Sequence, residues 1–240
     1  GWLAMAELRG ATLRDRLKGA AGAWPDARAF TDLLRRVRST ELHAGAVPTR
    51  TGDARGHAAM LAAVAPEFAD RLTAMVDGLA GELDAVAERV AIVHADLHEG
   101  QIVLDDNGDI VGLLDLDDVG WGDPLDDVAT LLAHLRYRRV LADETDGDRI
   151  RAYGDELEAA FAVECTSLGV DPRHLDRVTA AALIGLATGP FRTQQTEWRA
   201  TTSQLLAEAE ALLANDRVAT VREVSGSPHD RPTVIDENRG

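Results

Sequence analysis

One cysteine, one lysine and few aromatic residues set the first limits on this chain of 240 residues. With Cys165 alone there is no internal disulfide and no cysteine-rich zinc site, as suits a reducing compartment, and a buried, inert thiol is expected. Lys18 is the only lysine among 25 basic residues. No apolar run approaches the roughly 20 residues needed to cross a bilayer. Gly1-Trp2-Leu3-Ala4 has neither the basic flank nor the cleavage site of a secretory signal, so a cytoplasmic location without a membrane partner is expected. Neither Gly-x-Gly-x-x-Gly nor Gly-Lys-Ser/Thr occurs, so both common glycine-rich phosphate loops are missing. Positive charge is also scarce. A net charge of −16 argues against nucleic acid, and fits metal ions or cationic, polyol-like small molecules better.

What is present is apolar residue in quantity, 45%, enough to bury a core in one large domain or two small ones. Residues 2–8 alternate like a strand and end in a turn at Arg9-Gly10, and Thr12 caps a short helix to Leu17. Asp26 opens a helix whose apolar face is Phe30, Leu33, Leu34 and Val37, with Leu42 continuing it. Residues 47–56 read as a loop, and a helix from Pro66 carries a stripe from Phe68 to Val86. Three short strands follow, at residues 90–93, 101–104 and 110–114, the last two joined by residues 105–109, where Asn107-Gly108 signals a hairpin because both residues tolerate positive φ. After Gly120-Trp121-Gly122-Asp123-Pro124, helices are expected at 125–140, 148–168, 172–186 and 196–214. A polar, disordered tail is expected from 215 to 240.

The hairpin carries the chemistry. His94, Asp96 and Gln101 occupy the fixed places of His-x-Asp-x-x-x-x-Asn, with Gln in place of Asn, and Asp115 closes the strand beside them. Kinase-type phosphoryl transfer needs such a set, because its catalysis is mostly positioning and charge neutralisation. Asp96 takes the acceptor hydroxyl's proton or orients that hydroxyl, Asp115 and the Gln101 carbonyl bind Mg²⁺, and His94 is a catalytic-loop residue that braces by hydrogen bonds. An isolated His-x-Asp is usually structural; strand, loop, amide, hairpin and Asp in order are far more specific.

The segment from His94 to Leu135 resembles the aminoglycoside phosphotransferase and choline kinase-like family. Its His-Gly-Asp-Leu-His-x-Gly-Asn loop reads here His94-Ala95-Asp96-Leu97-His98-Glu99-Gly100-Gln101, and its Ile-Asp and Gly-Asp-Pro segments read Leu114-Asp115 and Gly122-Asp123-Pro124. A Gln at this place is similar to actinobacterial maltokinases and glucosamine kinases. The resemblance covers roughly residues 1–213. It implies an α+β, mainly helical chain that forms the C-terminal lobe of a protein-kinase-like fold over residues 1–214. It further implies ATP and Mg²⁺ as cofactors, a small hydroxyl compound as acceptor, a hinge at residues 1–10 where Glu7 and Leu8 meet adenine, and Asp127 as brace of the catalytic loop.

The lobe that would supply the phosphate-pairing lysine is absent, since Lys18 follows the hinge, so a fragment without activity of its own is expected. Its missing N-terminal lobe would then be a partner in the full-length protein. Sugars, amino sugars or aminoglycosides are the expected acceptors, with His98, Glu99, Asp117, Asp118, Asp123 and Glu197 as polar wall and Trp121 as a stacking face. The alternatives are an inert pseudokinase-like binding protein and, less well supported by ligand spacing, a metal-dependent hydrolase.

Overall fold

The computed structural model describes residues 7–19, 21–47, 50–81 and 90–214. The expected strand over residues 2–8, the end of the Phe68–Val86 stripe and the polar tail fall wholly or partly outside them. The described helices are α1 (Leu13–Leu17), α2 (Ala27–Arg38), α3 (Arg50–Val64), α4 (Ala69–Gly78), α5 (Asp126–Leu141), α6 (Glu144–Ser167), α7 (Pro172–Leu186), α8 (Gly189–Arg192) and α9 (Trp198–Ala214). The strands are β1 (Ala11–Thr12), β2 (Ala91–Val93), β3 (Ile102–Leu104), β4 (Ile110–Leu113) and β5 (Gly120–Gly122).

Local chemistry sets most helix starts. Thr12 and Asp15 form a reciprocal capping box on α1, and Asp26, Asp143 and Asp171 each accept a backbone N–H in the first turn of α2, α6 and α7. Helix α5 is the central post. Residues 126–133 and Leu135 are all buried, because α5 lies between two apolar clusters and serves both. One cluster joins α1, α2, α6 and the hairpin through Leu13, Phe30, Leu104 and Phe161; the other joins α3, α4, α7 and α9 through Leu61, Leu72, Leu183 and Leu205.

The structure departs from the sequence reading at three places. The expected loop at 47–56 gives way to α3 from Arg50, since Ala54, Ala58 and Leu61 recur at helical spacing and pack in the second cluster, which outweighs the cost of two helical glycines. Strand β2 does not join the hairpin. It pairs antiparallel with β5, whose Gly-x-Gly read as plain connection; Gly120 and Gly122 let the segment of Gly45 and Val47 lie so close that Trp121 exchanges backbone hydrogen bonds with both at 2.9 Å. The third departure is the turn. β3 and β4 do pair, but only Gly108 of the Asn107-Gly108 dipeptide has positive φ, at 91°, and Asp105 Oδ1 accepts the N–H of Asn107 and Asp109. The turn spans residues 105–109 as expected, but it is stapled by a side chain and has one left-handed residue in place of two.

Candidate functional site

The site lies where β2 ends, at the loop between β2 and β3, and just past β4. His94 closes β2. Its backbone N–H donates to Asp127 Oδ2 at 2.8 Å, and that of Ala95 to Asp127 Oδ1 at 3.0 Å. Asp127 is 2% exposed at the first turn of the central helix, so one carboxylate clamps the bend that aims the catalytic loop. Burial pushes this carboxyl above its ordinary value, while the two N–H groups pull the other way. Ala95 has φ 68° and Asp115 φ 58°, both in the left-handed region that costs an L-residue about 1–2 kcal/mol. Two such residues flanking one site are a strained pair held by the surrounding structure, a pattern that gathers at functional sites.

His94 Nε2 donates to the Leu114 carbonyl at 2.8 Å, tying β2 to the residue before Asp115, and its Nδ1 is buried without a hydrogen bond. The ring is 1% exposed, so His94 holds two strands together and does not meet an acceptor molecule. Asp96 follows on the loop, half-buried. Gln101 is nearly buried at the start of β3 and Asp115 is exposed; the Gln101 Nε2 donates to Asp115 Oδ2 at 3.1 Å. The two residues expected to share a metal are in contact. The Asp115 carboxylate and the Gln101 amide oxygen, one charged and one neutral, are the hard oxygen donors that could hold Mg²⁺.

Glu99 overturns its expected role in an acidic substrate wall. Its side chain is fully buried, and Oε1 accepts from Arg14 Nε at 2.9 Å and Arg138 Nε at 2.5 Å. His134 Nδ1 stands 3.2 Å from Oε2, and the Arg14 backbone N–H donates to the Glu99 carbonyl at 2.9 Å. Burial works to raise this carboxyl, but His134, Arg138 and Arg14 outweigh it and hold it well below the usual range. His98 is half-buried, its ring packed against His134 with centroids 4.7 Å apart and planes tilted by 31°. Burial, with His134 beside it, lowers His98 to about 4, so it is neutral at pH 7. His98, Glu99 and His134 bring donor atoms within 4.8 Å of one another. Two guanidinium groups already neutralise the carboxylate, so the trio is an ion-paired cluster.

His134, Arg14 and Arg138 were missed from the sequence. The available signal was a His and an Arg four apart on one face of α5. Asp117, Asp118 and Trp121 are exposed. Asp123 is instead a turn former, accepting the Leu125 N–H at 2.9 Å ahead of α5. Glu197 is exposed in the turn before α9. Leu8 rests on Gly112 of β4, and Glu7 is an exposed partner of Arg9.

The sequence profile of the phosphotransferase enzyme family matches residues 1–163. The chain belongs to that family. Among solved structures, a thermostable mutant of aminoglycoside phosphotransferase APH(4)-Ia, in ternary complex with AMP-PNP and hygromycin B, is similar with a TM-score of 0.58 at 15% identity, covering 85% of this chain and 68% of that one. A choline/ethanolamine kinase family protein from Mesorhizobium loti aligns with a TM-score of 0.56 at 14% identity, covering 87% and 66%. At such identities they show the shared fold: a mostly helical chain like the C-terminal lobe of the phosphotransferase family. The curated protein YcbJ of Bacillus subtilis (strain 168), uncharacterized, is 27% identical over 99 residues; the match spans 38% of this chain and about a third, 32%, of that relative. No described helix of this family member is long and apolar enough to cross a membrane.

Proposed function

We propose that residues 1–214 form the C-terminal lobe of an ATP-dependent phosphotransferase that acts on a hydroxyl of a small molecule: a sugar, amino sugar or aminoglycoside. The observation that carries this reading is the Gln101–Asp115 contact of 3.1 Å at the open end of a hairpin, beside a catalytic loop whose bend Asp127 clamps. Asp96 accepts the acceptor hydroxyl's proton or holds that hydroxyl in line. Gln101 and Asp115 are the residues that would hold Mg²⁺, and Glu7 and Leu8 stand at the edge expected to meet adenine. Mg²⁺ held by Gln101 and Asp115 would supply positive charge against the negative charge that develops on the transferring phosphate. His94 and Asp127 keep Asp96 and Asp115 in register, so the acid that meets the acceptor and the acid that meets the metal come from one rigid frame. Asp117 and Trp121, both exposed, fit a cationic or sugar-like acceptor.

The test is ATP consumption by the complete gene product across a panel of sugars, amino sugars and aminoglycosides. Asp96→Asn is expected to lower turnover by about 10²–10⁴-fold while nucleotide affinity stays near wild type. Asp115→Asn is expected to raise the Mg²⁺ needed for half-maximal rate more than Gln101→Ala, because it removes the charge. Equal loss of turnover and nucleotide affinity in Asp96→Asn would move Asp96 to the metal or nucleotide and refute its assignment as base.

A further inference from the structure

We propose that His98 is a positioning residue for the metal site, and that its Nε2–H turns the Gln101 carbonyl oxygen toward Asp115 when a divalent cation binds. The inference rests on the reading of Gln101 and Asp115 as metal ligands. It starts from the other side of the imidazole: Nδ1 accepts the Gly100 backbone N–H at 2.9 Å and faces Arg14 Nη2 at 3.3 Å. An amide N–H and a guanidinium can only donate, so Nδ1 carries no proton and the hydrogen of the neutral ring sits on Nε2. The His134 ring packs against it, tilted by 31° with centroids 4.7 Å apart, and limits its rotation.

That hydrogen meets the wrong atom. His98 Nε2 lies 3.4 Å from Gln101 Nε2, a donor facing a donor, while the same amide nitrogen donates to Asp115 Oδ2 at 3.1 Å. The two neighbours of the amide make opposite demands: Asp115 asks for N–H and His98 asks for oxygen. Asp115 prevails because a charged acceptor makes the stronger hydrogen bond. A cation on Asp115 removes its demand for a donor. Reversing the amide then places the Gln101 oxygen where its nitrogen now stands, about 3 Å from the Asp115 oxygen, the separation of neighbouring ligands in an octahedron with bonds of about 2.1 Å. His98 Nε2–H gains an acceptor in the same movement. The amide is therefore a two-position element: Asp115 selects one position without a cation, and His98 with the cation selects the other. The half-buried frame of Gly100, Arg14 and His134 gives His98 the fixed direction this requires.

The experiment is Mn²⁺ binding to the complete gene product with a non-hydrolysable ATP analogue, read by electron paramagnetic resonance and independent of turnover. His98→Asn keeps an acceptor near the Gly100 N–H but ends short of Gln101; His98→Gln returns an amide N–H to the Nε2 position. His98→Asn is expected to weaken Mn²⁺ about 10-fold and His98→Gln to recover most of it. In the Gln101→Ala background, His98→Asn is expected to add nothing. Unchanged affinity in His98→Asn, or an equal further loss in the Gln101→Ala background, overturns the proposal while the metal site stands. If Gln101→Ala and Asp115→Asn both leave Mn²⁺ affinity unchanged, the metal site itself falls. Should His98→Asn not fold, ¹⁵N NMR of the wild-type protein decides: saturating Mg²⁺ is expected to shift the Gln101 side-chain amide as it leaves Asp115, and no shift overturns the proposal.

Discussion

Replacing Asp127 separates the support of the loop from its chemistry. Its two oxygens take the N–H groups of His94 at 2.8 Å and Ala95 at 3.0 Å, in a place where the acid is 2% exposed and His94 1% exposed. A hydrogen bond to a charged partner contributes about 1.5–3 kcal/mol, and a buried donor left unpaired costs about 1–3 kcal/mol. Asp127→Ala orphans both N–H groups and is expected to cost about 3–5 kcal/mol. Asp127→Asn keeps one acceptor oxygen but turns an NH₂ toward the other N–H, so about 1.5–3 kcal/mol is expected. Urea unfolding followed by circular dichroism measures both, as a shift of midpoint at constant slope. Asp127→Ala within about 1 kcal/mol of wild type, with slope unchanged, would show that the bend at Ala95 has other support and that the clamp argument is wrong.

Two further predictions concern neighbouring groups. Glu99 has its folded pKa depressed, so its contribution is present above the ordinary glutamate value of 4.5 and drains away as pH falls below it; wild type should lose stability on that acid limb more steeply than Glu99→Gln, and parallel pH profiles would deny Glu99 the part assigned to it. Ala95→Gly removes a left-handed strain of about 1–2 kcal/mol against an unfolded-chain entropy cost of about 0.4–1 kcal/mol, so the variant should be more stable by about 0.5–1 kcal/mol, and a lower unfolding midpoint would refute the strain argument.

The helical body was legible because capping and periodicity are local. Asp26, Pro172 and the Phe30–Leu34 face announce α2 and α7 in a few consecutive residues each, and Cys165 is buried as expected, with burial pushing its thiol up to about 11. The hairpin and the adjacency of Gln101 and Asp115 were legible for a related reason: one short turn brings them together. What the sequence did not disclose involves partners far along the chain. Strand β5 is a strand only because β2 and the Gly45–Val47 segment lie on either side, and three residues with two glycines carry no strand signature. Glu99 reads as a surface acid until Arg14, 85 residues earlier, and Arg138, 39 later, arrive to neutralise it. α3 was hidden by Gly52 and Gly56, whose low propensity is a local signal that packing against α7 overrides.

The bond from the Arg14 backbone to Glu99 bears on how this protein tolerates cutting and splicing. Residues 11–17 contribute no atom to the proposed chemistry, yet they supply a strand beside β3, a guanidinium under the catalytic loop and a backbone donor to its Glu99 carbonyl. The loop consequently completes its shape only after a piece of chain from far upstream has docked. A module boundary drawn between residues 17 and 90 would thus sever the loop from its own floor, and grafts that carry the His94–Asp115 segment into another scaffold must bring α1 and β1 with it.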